Sequence, residues 1–132
     1  LDPYKPGNVI AEWAAAGWIR HCHARAAVPN NPKNLTGEHE NGDVGRGIQY
    51  PFAEPGPGEY HAEWDERLLE PWKEGIRILM RHRVSDPKSK LGQISTEFIP
   101  GPDYGMGCRY SLFAQAIACV EWMRAEWAAI SS

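Results

Sequence analysis

The chain has 132 residues, enough for one domain with a real core, and 42% hydrophobic against 23% charged residues is ordinary for a globular protein. A net charge of −3 without a dense Lys/Arg run argues against nucleic acid and anionic membrane as partners, and no apolar run approaches the ~20 residues that span a bilayer. Six Trp, 13 Gly and 11 Pro point to long ordered loops rather than disorder, because the apolar content is too high for a disordered chain.

Cys22, Cys108 and Cys119 are odd in number and show no C-x-x-C spacing, so free thiols in a reducing, cytoplasmic compartment are the simplest expectation. The N-terminus does not read as a signal peptide. The chain opens on Leu1-Asp-Pro-Tyr-Lys-Pro-Gly7 rather than Met, which reads as though a preceding segment had been removed.

In chain order, residues 1–8 form an extended lead-in punctuated by proline. Val9, Ile10 and Trp13 stand at helical spacing among alanines, and Gly17 suits a stop, which predicts a helix over 9–16. Residues 18–27 alternate as a strand. Ile19, His21, His23 and Arg25 would share one face, with Trp18, Arg20, Cys22 and Ala24 on the other. Residues 29–44 are a long polar loop, and loops of that length in compact domains are functional or mobile. Gly45-Arg-Gly-Ile-Gln-Tyr-Pro-Phe52 predicts a short strand over 46–52, entered through glycines.

A helix over 65–83 follows, with Leu68, Leu69, Trp72, Ile76, Leu79 and Met80 on one face and Pro71 in its first turn. Ser85-Asp86-Pro87 ends it. Gln93 to Ile99 reads as a strand carrying Glu97 and stopping at Pro100-Gly101-Pro102. The last helix, over 110–130, offers Phe113, Ile117, Val120, Met123 (or Arg124) and Trp127 as an inward stripe, and the helical Trp residues read as core. Strands alternating with helices argue for an α/β fold with a parallel sheet. Three strands cover two amphipathic helices poorly, so the chain is not expected to be self-sufficient.

The residues that could carry chemistry are His21, His23, Arg25 and Glu97, with Glu38, His39, Glu40 and Asp43 as an acidic, solvated loop cluster. His-x-His on a strand aims two imidazoles the same way, which suits either a divalent metal completed by carboxylates or hydrogen-bonded core or interface histidines. Glu97 lies near a strand end, where βα units place their chemistry. It reads either as a ligand met by a cation or as an exposed carboxylate on an edge strand. Arg25 suits an anionic or polyhydroxylated ligand, or equally an acidic loop residue. Cys22 faces away from the histidines and lacks an activating base. Gly45-Arg46-Gly47 precedes a strand and is a turn device, and no nucleophile elbow, P-loop or dinucleotide fingerprint is present.

The order His21-Cys-His23-Ala-Arg25, then Gly45-Arg-Gly-Ile-Gln-Tyr50, then Ile94-Ser-Thr-Glu97-Phe-Ile-Pro100 before a long terminal helix resembles the sugar isomerase/epimerase superfamily with the xylose-isomerase-like TIM barrel. The resemblance covers most of the chain and implies that residues 1–132 are the C-terminal three βα units of a (β/α)8 barrel. It further implies a divalent metal, manganese first, with magnesium, cobalt or zinc as alternatives. His23 and Glu97 match metal ligands, and Glu97 also matches a catalytic acid/base. Arg25 and His21 fall where the substrate is contacted.

Such barrels need roughly 250 residues, so the first five strands, two further ligands and the second catalytic carboxylate are expected from an N-terminal half, on another chain or a cleaved piece, in an oligomer. The activity implied is proton transfer α to the carbonyl of a sugar or sugar phosphate. The alternatives are a carbohydrate lyase, dehydratase or glycoside-cleaving relative on the same site, or a non-catalytic subunit that stabilises a partner. A phosphodiester-cleaving relative would want more histidines and a basic face.

Overall fold

The computed structural model describes residues 2–29, 47–100 and 108–132. Its elements are α1 (Val9–Ala15), β1 (His21–Ala24), β2 (Ala27–Val28), β3 (Ile48–Gln49), a 3-10 turn (Glu66–Leu69), α2 (Glu70–Ser85), β4 (Gln93–Thr96) and α3 (Leu112–Ser131). The α/β expectation holds, and each helix begins where side-chain chemistry allows. Asn8 accepts from the Ala11 amide at 3.1 Å to cap α1. Asp65 accepts from the Arg67 amide at 3.0 Å to open the 3-10 turn. Pro71 sits in the first turn of α2, where its missing N–H has no helical partner to lose. Ser111 caps α3 through the Ala114 amide at 3.2 Å.

β1 and β4 pair in parallel, with His21 opposite Gln93 and His23 opposite Ser95, and α2 forms the crossover between them. The stretch expected as a parallel strand over 46–52 is different. Its described part contributes only Ile48–Gln49, antiparallel to Ala27–Val28, and the Tyr50 amide adds a bond to the Ala26 carbonyl at 2.9 Å. It does not join the β1–β4 sheet. The described residues therefore hold one βαβ unit with an irregular insertion rather than three successive βα units, and they form no closed barrel.

The insertion is pinned by its own polar groups. The Tyr50 hydroxyl accepts from the Asp65 amide at 2.8 Å, and Trp64 Nε1 donates to the Pro51 carbonyl at 2.9 Å. The core gathers Ala24, Val28, Ile48, Tyr50, Leu69 and Met80 between the sheet and the helices. Leu69 is fully buried, and burial of such a side chain stabilises by about 1.5–3 kcal/mol. A smaller cluster of Ala14, Leu79 and Leu91 seats α1 on α2. There Gly75 lets the helices approach, since a Cβ would stand 3.1 Å from Ile10 Cδ1.

The inward stripe expected on α3 holds at Val120 and Met123, which pack in the main core, and is corrected at its other positions. Gln115, Cys119 and Met123 face the core, whereas Phe113, Ile117 and Trp127 are 76%, 43% and 41% exposed. Trp13 and Trp18 are also exposed, so only Trp64, Trp72 and Trp122 pack against the main core. The face of α3 is set by polar docking. Gln115 bonds both backbone groups of Ala53, at 2.7 and 3.1 Å. Arg77 of α2 reaches Glu126 at 3.0 Å and stacks 5.4 Å from the Trp122 ring.

Candidate functional site

His21, His23, Arg25 and Glu97 meet at one side of the β1–β4 pair. The parallel register explains why: alternation puts His21 and His23 on one face of β1, and Gln93, Ser95 and Glu97 on the same face one strand over. The ladder extends past β4 through the Glu97 amide, which donates to the Ala24 carbonyl at 3.1 Å. This bond holds the carboxylate beside the end of β1.

The Glu97 carboxylate lies between two basic groups. Its Oε1 is 3.6 Å from His23 Nδ1, and its Oε2 is 4.0 Å from an Arg25 guanidinium nitrogen. Arg25 and Glu97 stand at ion-pair distance, and both separations are too long for hydrogen bonds. The His23 side chain is 62% exposed and that of Glu97 33%, so the group opens to solvent while Glu97 and Arg25 are partly enclosed. The His21 and His23 rings stand 4.6 Å apart, edge to face. His21 Nε2 is 2.9 Å from Ser95 Oγ, which in turn accepts from Gln93 Nε2 at 2.8 Å. Because Ser95 already accepts from Gln93, its own proton is free to serve Nε2 of His21.

Two residues that hold this site were missed in the sequence reading. Ser95 had a signal, since it lies two positions before Glu97 on the same strand face. Gln49 had none: it is 1% exposed, and its amide accepts from the Ile99 N–H at 3.0 Å and donates to the Ile99 carbonyl at 3.2 Å. It fixes the chain two residues beyond Glu97 from a segment 50 positions away. Cys22 is half-buried against the core, and burial pushes its thiol upward, which agrees with a non-nucleophilic role. Glu38, His39, Glu40, Asp43 and Arg46 lie outside the described residues.

His23 and Glu97 supply two donor atoms close enough to share one ion, as ligands at ~2.1 Å from a metal must stand within a few ångströms of each other. Among the described residues no group of three His, Cys, Asp or Glu side chains could hold a metal. These two donors alone do not complete a coordination shell. Arg25 adds a cation suited to a hydroxyl or anionic oxygen, and Glu97 a carboxylate able to exchange a proton. No family model, curated protein or solved structure matches the chain. Among the described residues no helix is long and apolar enough to cross a membrane.

Proposed function

We propose that this chain is the C-terminal part of a divalent-metal-dependent sugar or sugar phosphate isomerase or epimerase, contributing the closing βα units of a xylose-isomerase-like barrel. The observation that carries the reading is the meeting of His23, Arg25 and Glu97 where two adjacent parallel strands end. In parallel sheets that end is where ligands bind. The parallel β1–α2–β4 unit supports a barrel segment, with the irregular insertion lying between β1 and α2.

In this reading His23 and Glu97 hold the ion, manganese or a similar divalent metal, together with ligands from an N-terminal half. When bound, the ion polarises the substrate's carbonyl and neighbouring hydroxyl. Glu97 removes the proton α to the carbonyl, and a carboxylate of the other half returns one. Arg25 holds a substrate oxygen beside Glu97. His21, fixed by Ser95, presents its ring edge to the sugar.

The test is exchange of the substrate's C–H hydrogen with solvent in the assembled enzyme. Exchange lost in Glu97→Gln, with metal content lowered in His23→Ala, supports the reading. Full activity retained in Glu97→Gln overturns it. A second reading, a non-catalytic subunit that stabilises a partner, is favoured by the uncovered apolar stripe of α3. It expects His23→Ala to leave the metal content of the assembly unchanged.

A further inference from the structure

On the polar face of the β1–β4 pair, three side chains form a hydrogen-bonded row that ends on His21. Gln93 stands directly opposite His21, and Ser95, two residues on, stands opposite His23. The Gln93 amide nitrogen donates to Ser95 Oγ at 2.8 Å, and Ser95 Oγ lies 2.9 Å from His21 Nε2. The alternate residues Cys22 and Ile94 pack on the core, so the strand register alone brings this row together. His21 and Gln93 are exposed, and Ser95 between them is half-buried.

Donor counting gives the row a direction. An amide nitrogen only donates, so Ser95 meets Gln93 with a lone pair. The hydroxyl has one proton, and His21 Nε2 is its acceptor among the described residues. A proton on Nε2 would set two N–H donors against one oxygen and leave the hydroxyl proton unpaired. In the neutral ring the proton is therefore on Nδ1, which has no hydrogen-bond partner among the described residues. Left to water, a neutral histidine side chain favours the opposite form.

We infer that Gln93, acting through Ser95, fixes His21 as a hydrogen-bond donor, so that the site takes an acceptor oxygen there: a carbonyl, ether, carboxylate or phosphate oxygen rather than a group that must donate. Gln93 and Ser95 are positioning residues. The His21 and His23 rings stand 4.6 Å apart, so an oxygen held by His21 lies within a small ligand's length of the His23–Glu97 pair. Arg25, whose guanidinium only donates, selects the same kind of oxygen. The tautomer is independent of any activity, whereas its use on a sugar oxygen rests on the isomerase reading.

Long-range ¹H–¹⁵N correlation spectra of the chain labelled with ¹⁵N-histidine, recorded at pH 9, read which nitrogen of each ring is protonated. His21→Gln identifies the His21 signals. The expected result is a His21 ring protonated at Nδ1. Ser95→Ala should return it to the Nε2–H form, and Ser95→Thr, which keeps the hydroxyl, should not. Gln93→Glu puts an acceptor where the donor was, so Ser95 turns its proton to position 93 and the His21 proton should move to Nε2. Amide spectra check that each variant keeps its fold. In the assembled enzyme Gln93→Glu should raise KM about tenfold, and Ser95→Ala by less, with kcat and bound metal unchanged. An Nε2–H ring in the parent, or a tautomer indifferent to both substitutions, overturns the inference, as does a lowered kcat at unchanged KM. The expected tautomers in an assembly that exchanges no substrate hydrogen would overturn the isomerase reading and uphold the donor assignment.

Discussion

Gln49 holds Ile99 as a strand neighbour would: one side-chain amide satisfies both the N–H and the carbonyl of a single residue. It thereby does the work of a ladder rung where no strand is present. Gln49→Ala leaves both Ile99 groups without this partner in a partly buried setting. The expected cost is about 2 kcal/mol in urea unfolding, with faster hydrogen exchange at the Ile99 amide. An unchanged midpoint would show that water replaces the clamp.

Gln115 holds Ala53 in the same way and ties α3 to the insertion. Gln115→Leu keeps the volume but not the bonds, so the partly buried Ala53 pair should cost about 2 kcal/mol. Gln115→Glu keeps the acceptor for the Ala53 amide and loses the donor, and should be worse at pH 7 than at pH 4. Chemical denaturation at the two pH values checks the order.

Lys73 is buried among aromatic rings, 5.4 Å from the Phe52 centroid and 5.8 Å from that of Trp122, with its ammonium 2.8 Å from Glu66. Glu66 is itself well exposed, so losing the lysine strands no buried charge. The stem's packing decides the outcome. Lys73→Ala should cost about 2 kcal/mol through the cavity it leaves, and Lys73→Met less than about 1 kcal/mol because it refills the space. Equal losses in the two variants would assign the stability to the ion pair instead.

The Arg77 guanidinium, hydrogen-bonded to Glu126, holds that carboxyl below its ordinary 4.5. A carboxyl depressed in the folded state stabilises above its unfolded value, and the contribution fades as pH falls through the lower folded value. The melting temperature should therefore drop below about pH 4.5 more steeply in the parent than in Glu126→Gln. Parallel curves between pH 3 and 7 would remove the α2–α3 bridge from the acid response.

Cys119 is fully buried on α3, and burial pushes its thiol up to about 11. Iodoacetamide at pH 8 should leave it unlabelled in the folded chain and reach it only at the rate of global opening. Rapid labelling would mean that α3 lifts from the sheet locally.

The sequence made the helices legible, because apolar spacing, Gly17 and Pro71 are local signals acting within one or two turns. It also brought out His21, His23, Arg25 and Glu97, since period-two alternation gives each strand's face without knowledge of its partner. Residues 46–52 misled because a short apolar run says nothing of direction or neighbour, and among its described residues the strand is Ile48–Gln49, paired antiparallel. The face of α3 misled for another reason. The helix is apolar nearly all round, so periodicity found Val120 and Met123 but could not choose between Phe113 and Ile117 and the neighbouring Gln115 and Cys119. The choice came from Gln115 and Glu126, polar residues whose partners lie on distant segments.

The β1–β4 register has a kinetic consequence. His21 and Ser95 touch across 74 positions of sequence, and most of the chain lies in the loop their pairing closes. Loop entropy delays such contacts, whereas α2 and α3 can begin to form from neighbours alone. The His23–Glu97 cluster therefore assembles among the latest contacts in folding, and its geometry reports that the whole topology has closed.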